Sequence, residues 1–504
     1  MKIVIVGGGT AGWITAAFFI KHTVGYDITV IESSKIPIIG AGEGSTGSLP
    51  WFIKNSLMGD SFNWPDNIVT ETDFLKKTKA TLKLGIRMQN WKGDGTHYYS
   101  PFHGSPTDVL PVDTAFLGSI LKYNNSHYSS LHSWMMDDKL TTFAKRNGRI
   151  IPALNNHSYH FDGTEVGKYF KDVCLKKGVK LIDSEVIDTS FDENEYLQNI
   201  KLNDGSIQTA DMWFDCSGFA RVLMGKTKNK WISYKDNLPT NTAIPFSTDV
   251  YSKTVRFETH SEAMDAGWMW RIPLQNRYGN GYVYCDDFIT YDKAVDEASK
   301  KIGKEIEPIK TIKFEPGRYE NTWYKNIAAI GLSSHFLEPL EATAIHISII
   351  SISNLVFHFL KSKESIKFER DKIEYNRLVN IMIDDYKDFI QMHYLTGRQD
   401  TPFWKFITNE LTITDKNKEY IEISKYRLLN QFDVSNRHGT PGWPLWCHIM
   451  NNAGLFDKDM IRKEMALHNI TNVGELELKK MLKHYDTFKH ELATTEEFFK
   501  WLKI

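Results

Sequence analysis

From Lys2 to Val6 the chain is a short apolar, β-branched run (KIVIV) that stops at Gly7-Gly8-Gly9-Thr10-Ala11-Gly12. An apolar stretch of helical character follows from Trp13 to Ile20, and a second apolar run, Ile28 to Ile31, ends on Glu32. This order predicts strand, glycine turn, helix and strand. An amphipathic helix is expected around Gly167 to Lys177, then a strand over Val179 to Ile187. Ile200 to Leu202 and Ile207 bracket Asn203-Asp204-Gly205, a hairpin signal. Trp268 and Trp270 alternate along a strand-like stretch, which sets both rings on one face. Asn326 to Gly331 (NIAAIG) reads as another apolar strand. From Ile345 onward the period turns helical: Ala344 to Phe359, Asp371 to Tyr394, then short helices to the end. Lys458 to Leu502 places Ile461, Met465, Leu467, Leu476, Leu478, Met481 and Leu482 at helical spacing, an amphipathic surface bundle. The pattern divides into residues 1–345, a core with an inserted sheet, and residues 346–504, a helical region over the substrate side.

Composition narrows the class. The chain has 504 residues, 41% hydrophobic and 24% charged, which is ordinary globular usage. Sixty-one basic against 62 acidic residues leave a net charge of −1, with no electrostatic footprint for nucleic acid or a membrane surface. No apolar run reaches the ~20 residues that span a bilayer. The longest, Ala344 to Phe357, is interrupted by His346, Ser348, Ser351, Ser353 and Asn354. No basic-then-apolar leader is read at the N-terminus. Cys174, Cys216, Cys285 and Cys447 lie far apart without a CxxC pair, so neither a cysteine-held metal nor a disulfide framework is expected. The expectation is a reduced, cytoplasmic protein without a metal centre. Aromatic content of 13%, with 14 Trp, reads as core packing before it reads as an aromatic pocket.

The first chemistry lies in the glycine turn. Gly7 permits the tight turn, Gly9 lets the backbone approach a pyrophosphate, and Gly12 lets helix and strand pack closely. The first helical residues, Thr10 and Ala11, offer N–H groups and a positive dipole end to phosphate. Glu32, 20 residues after Gly12, is placed to accept from a ribose diol. No second strand–GxGxxG–helix unit exists, since Gly279-Asn280-Gly281 sits in a β segment with no helix after it. Two later segments, Ala210 to Gly218 and Asn326 to His335, resemble those that return to the flavin in flavoproteins of the hydroxylase superfamily. The resemblance implies FAD and an α/β, Rossmann-like FAD-binding domain with a substrate-side β-sheet and a helical C-terminal part. Gly42, Glu43, Val186, Leu332 and Ile345 are further cofactor-side candidates on that resemblance.

A lysine is the second signal. Lys83 lies among Leu82, Leu84 and Ile86, an apolar strand where a charge requires a reason. Lys76, Lys77 and Lys79 cluster as a solvated face. Glu338 and Glu341 flank Pro339-Leu340 ahead of a helix starting near Thr343, where acids are favourable.

Gly267-Trp268-Met269-Trp270-Arg271-Ile272-Pro273 resembles the G-W-x-W-x-I-P signature of flavin-dependent halogenases, the tryptophan-halogenase family. Gly7 to Trp13, Gly40 to Thr46, Ala210 to Phe219, Phe336 to Ile345 and Asp400 to Trp404 resemble further family segments, so the likeness runs to about Trp404. The last hundred residues match poorly, and the Lys- and Asn-rich chain is compatible with a divergent marine or virus-encoded member. The resemblance implies that FADH2, supplied by a separate flavin reductase, and O2 oxidise a halide to hypohalous acid, which halogenates a small electron-rich aromatic such as an indole or phenol. It assigns Lys83 to hold or carry the halogen, Glu341 (Glu338 as alternative) to act as the catalytic acid, and Thr343 with Ala344 to bind halide. Trp268 and Trp270 shield the flavin from substrate, and Phe102 clamps the ring. A homo-oligomer is admitted as well.

Two departures from the family pattern matter. Its common E-S-T-G core is here Glu341-Ala342-Thr343-Ala344, which removes a hydroxyl at Ala342 and puts a Cβ at Ala344, where φ > 0 is harder to reach. Bromide or iodide is therefore expected to compete well with chloride. Ser100 stands where a pocket His is sought, and His103 is displaced. Trp443, Trp446 and His448 are read as helix packing. A flavin monooxygenase and a silent flavin-binding protein are the competing functions.

Overall fold

In a computed structural model of the chain, the structure describes residues 1–36, 40–57, 71–102, 114–154, 157–251, 253–434, 439–470 and 472–503. The chain forms two compact units, each assembled from three separated segments. Residues 1–80, 161–234 and 315–384 make the first, and residues 81–160, 235–314 and 385–504 make the second. The boundary expected at residue 345 therefore falls inside the first unit. A single cut cannot separate segments that interleave.

The first unit is built on a six-stranded sheet. Its strands run in the order Lys180–Asp183, Asp27–Glu32, Lys2–Val6, Met212–Asp215, Ile327–Ala329 and Trp323–Tyr324. All neighbours are parallel except the last pair. The KIVIV run is buried from Ile3 to Val6 because a parallel strand is covered on both faces. Helices Thr10–His22, Gly163–Lys176 and Thr343–Asn354 belong to this unit. Asp162 caps Gly163–Lys176 by accepting from the Thr164 and Glu165 N–H groups. The stretch read as one strand from Val179 to Ile187 is two, Lys180–Asp183 and Val186–Phe191, which belong to different sheets. The Asn203-Asp204-Gly205 turn joins Leu197–Leu202 to Ile207–Gln208 in antiparallel register, as its sequence predicts.

The second unit carries a seven-stranded sheet ordered Ile312–Lys313, Thr242–Thr248, Tyr278–Tyr284, Gly267–Pro273, Glu258–Met264, Gly85–Gln89 and His97–Pro101. One pair, Glu258–Met264 with Gly85–Gln89, is parallel and the others are antiparallel. The C-terminal segment is helical as expected, with one strand, Leu492–Thr494, paired to Leu140–Arg146. Leu467 and Leu476, expected on its apolar stripe, are exposed instead. Trp446 packs against Phe389 and Tyr420, and His448 against Phe116, so this cluster is core. No helix among the described residues is long and apolar enough to cross a membrane.

Candidate cofactor and catalytic residues

In the first unit the glycine turn is enforced by backbone contact. Gly7 has φ +116°, donates its N–H to the Ile31 carbonyl at 2.8 Å, and would place a Cβ 2.2 Å from the Cys216 carbonyl oxygen. A Cβ at Gly12 would sit 1.9 Å from the Gly7 oxygen. Gly9 is the N-cap of Thr10–His22 and provides no capping side chain, and a Cβ built on it would meet nothing within 4 Å. No acid occupies the first turn. The helix thus presents N–H groups to open space, the arrangement a dinucleotide phosphate requires.

The neighbours of this turn come from distant sequence. Thr10 Oγ1 donates to the Gly163 carbonyl at 3.3 Å, joining the starts of two helices. A Cβ on Gly163 would lie 2.1 Å from Glu43 Oε1, so Glu43 rests against the second helix start. Burial, and next the Asp162 carboxylate, push Glu43 up to about 7. Thr46 Oγ1 bonds His346 Nδ1 at 3.1 Å, which ties the segment after Gly42 and Glu43 to helix Thr343–Asn354. Gly331, with φ +75°, opens the turn carrying Leu332, and a Cβ there would come within 2.9 Å of the Ala11 methyl. Val186 packs with the cluster of Val4, Val6 and Ile31 beneath the strands that lead into the turn.

Glu32 stands at the end of its strand as predicted, but its carboxylate is engaged. Trp13 Nε1 donates to Oε2 at 3.2 Å, and Lys171 forms an ion pair with Oε1. Lys171 was not legible as a partner, because it comes from a helix 139 residues further on. Asp215 is a second residue the sequence did not reveal. Fully buried, it accepts from Ser217 N–H (3.1 Å), Ser217 Oγ (2.6 Å), Leu223 N–H (2.8 Å) and Met224 N–H (2.7 Å). The signal was present in the Asp-Cys-Ser-Gly run, in which one acid ends a strand and folds the loop behind it.

Glu338 is buried and Glu341 half-buried around the Pro339–Glu341 turn. Helix Thr343–Asn354 follows, with Ala342 as an N-cap that makes no side-chain bond. A positive φ lies at Ala342, at +55°. The left-handed residue is the one that turns the chain from the short turn into the helix, and Ala344 is already helical. Thr343 and Ile345 are buried and Ala344 half-buried.

In the second unit Lys83 is 1% exposed, at the end of the Thr81–Lys83 strand. Its Nζ lies 5.2 Å from the centroid of the Phe102 ring. The paired strand sets Ser158 opposite Lys83 and His160 opposite Thr81. His160 Nε2 and Thr259 Oγ1 are 2.8 Å apart, and burial, then the Lys83 charge, hold this imidazole well below its usual range. Trp268 and Trp270 lie on one sheet face with ring centroids 6.1 Å apart. Small residues make room: Trp270 pairs with Ser261 and Gly281, and a Cβ on Gly281 would meet the Trp270 ring at 2.1 Å. Ser100 is buried, and His103 lies outside the described residues. Among the described residues no group of three or more His, Cys, Asp or Glu could hold a metal ion.

Comparison with known proteins agrees with this arrangement. The family model described as tryptophan halogenase matches residues 2–459. The chain is similar to tryptophan 7-halogenase RebH of Lentzea aerocolonigenes, 31% identical over 450 residues, covering 84% of this chain and 81% of that one. It is 29% identical over 487 residues to 7-chloro-L-tryptophan 6-halogenase KtzR of Kutzneria sp., covering 90% of each. The solved structure of Tar14, a tryptophan C-6 flavin-dependent halogenase (chlorinase) from taromycin biosynthesis, superposes with a TM-score of 0.88 at 27% identity, covering 100% of both chains. The chain belongs to the tryptophan halogenase family and is a flavin-dependent aryl halogenase.

Proposed function

We propose that the protein uses FADH2, O2 and a halide to halogenate an electron-rich aromatic of indole or phenol type, with Lys83 handing the halogen to the ring. The observation that carries this reading is the burial of Lys83 beside the Phe102 ring. A lysine side chain buried in such a place is uncommon and is explained by chemistry. Bound reduced flavin supplies two electrons, so that FADH2, O2, halide and a proton give FAD, hypohalous acid and water. Lys83 Nζ donates a charge-assisted hydrogen bond to the hypohalous oxygen and polarises its bond to the halogen. The arene takes the halogen, the departing hydroxide takes a proton from Lys83 Nζ and leaves as water, and the ring proton passes to a carboxylate, a role the family likeness gives to Glu341, before it is returned to the lysine. The aromatic wall of Trp268 and Trp270 keeps the organic substrate from the flavin.

The cofactor reading rests on the open start of helix Thr10–His22, on Glu32 and on the loop locked by Asp215. A single GxGxxG unit serves the flavin and leaves none for a nicotinamide, so electrons come from a separate flavin reductase. Thr343 and Ala344 open a 12-residue helix whose N-cap brings no side-chain bond, which suits a halide. The absent hydroxyl at Ala342 makes this end less polar, so weakly hydrated bromide and iodide compete well with chloride. The relatives named above act on tryptophan or chlorotryptophan, which places tryptophan and simple indoles first among test substrates.

The test is a mass-spectrometric product screen with protein, FAD, a flavin reductase, NADH and O2 on a panel of indoles and phenols. A protein-dependent halogen mass shift is expected. Gain of one oxygen instead would mark a monooxygenase. With the three halides in direct competition, clear dominance of chloride would refute the halide proposal.

A further inference from the structure

We propose that Lys171 is a positioning residue for the flavin dinucleotide: it cancels the charge of Glu32, so that this carboxylate can stand beside a diphosphate and take the ribose hydroxyls. The inference rests on the reading that this chain binds FAD with Glu32 on the ribose. Lys171 lies on helix Gly163–Lys176, whose first residue accepts from Thr10 at the start of the dinucleotide helix. From there its ammonium passes over the Trp13 ring, 6.0 Å from the centroid, and pairs with Glu32 Oε1. Trp13 Nε1 holds the other oxygen, Oε2, at 3.2 Å.

The place of this carboxylate makes its charge matter. It lies against the glycine turn itself, since a Cβ built on Gly8 would collide with Glu32 Oε2. Gly9, the next residue, caps the helix start that opens to free space and suits a diphosphate. A bare carboxylate beside that anion would repel it. More negative charge gathers at the same edge of the sheet. Asp183 is the register partner of Glu32 on the neighbouring strand, and Glu185 accepts from Ser33 Oγ at 3.0 Å. Bonds from Ser34, and after them the charges of Lys171 and Lys35, hold the Asp183 carboxyl below its usual range. Lys171 is the cation placed on Glu32.

The pairing leaves Glu32 able to work. A carboxylate has about four lone-pair positions. Trp13 and Lys171 take one on each oxygen, and one on each remains. Two ribose hydroxyls require that number. The side chains of Lys171 and Glu32 are 30% and 17% exposed, so solvent, and hence a ligand, reaches the pair. A surface ion pair adds little to the stability of a fold. Its effect here falls on the binding of an anionic cofactor.

Fluorescence titration of the whole chain with oxidised FAD, without halide or substrate, is the test. Lys171→Met should bind FAD about 10-fold more weakly than the parent. Lys171→Arg should restore affinity to within about 3-fold, since the charge returns. The loss in Lys171→Met should shrink as salt rises from about 0.02 to about 0.5 M. In a Glu32→Gln background the charge to be cancelled is gone, so adding Lys171→Met should cost less than about 2-fold. A purely structural ion pair would lower the melting temperature of Lys171→Met and leave FAD affinity unchanged, which overturns the proposal. So does a loss indifferent to salt. An undiminished loss in the Glu32→Gln background also overturns it, because Lys171 would then act on the phosphates directly. If the parent itself fails to bind FAD, the cofactor reading falls and this inference with it; parent binding with no response in Lys171→Met defeats Lys171 alone.

Discussion

In the first unit the candidate groups are made largely of backbone, namely a turn that excludes Cβ atoms at Gly7 and Gly12 and two helix starts with no capping side chain, at Gly9 and Ala342. In the second unit they are made of side chains: Lys83 beside Phe102, and Trp268 beside Trp270 on strands that offer small partners. The two materials fail differently. A backbone site tolerates almost no added atom but holds any ligand with the right charge. A side-chain site tolerates neighbouring changes but loses its chemistry with one residue. Generic dinucleotide binding is suited to the first and a particular reaction to the second.

The sharpest way to break the contrast is Lys83→Ala. Aryl halogenation should fall about 10³-fold while FAD affinity and hypohalous acid formation persist. Product analysis with a parallel assay for free oxidant measures both, and retained aryl activity would remove Lys83 from its role. Next in size is Asp215→Ala, which strips partners from the buried N–H groups of Leu223 and Met224 and from the half-buried N–H of Ser217. A loss of about 3 kcal/mol in urea unfolding is expected, together with weaker FAD binding. Gly281→Ala probes the other unit by packing alone. The Trp270 ring must move away from a Cβ that would meet it at 2.1 Å, at about 1–3 kcal/mol and with a shifted tryptophan emission.

The smallest effect belongs to Glu43. Its carboxyl titrates near 7 in the folded protein against 4.5 unperturbed. A folded-state value raised above the unfolded one stabilises below the unfolded value, and that stability is lost as pH rises through the folded value. The parent should therefore lose on the order of 1 kcal/mol between about pH 4.5 and 7, a figure reduced for the partial exposure of the side chain. Glu43→Gln should flatten that slope in urea unfolding measured across this range. An unaltered slope would show that Glu43 ionises freely.

What could be read in advance follows the same contrast. The glycine turn was legible because spacing along the chain is its geometry. The burial of Lys83 was legible because its neighbours are apolar. That Ala342 is the left-handed residue and Ala344 already helical was not legible, since composition does not reveal where a short turn hands over to a helix. His160 beside Lys83 and Lys171 on Glu32 depend on strand register and helix packing across long separations, which no local pattern encodes. The halves were sought as one cut at residue 345, and interleaved segments leave no single composition break to find.

The interleaving also bears on how the chain comes off the ribosome. The first strand, Lys2–Val6, is paired on one side with Asp27–Glu32, which emerges soon after it. Its other neighbour is Met212–Asp215, and the bond between the Lys2 N–H and Asp211 spans 209 residues. Gly7 likewise acquires its close contact at Cys216 only then. During synthesis the strand Lys2–Val6 carries an unfilled edge until the chain has been extended by a further 209 residues to Asp211 and beyond. The nascent chain acquires its nucleotide turn only after Cys216 has been made, although the turn itself is encoded about 200 residues before it.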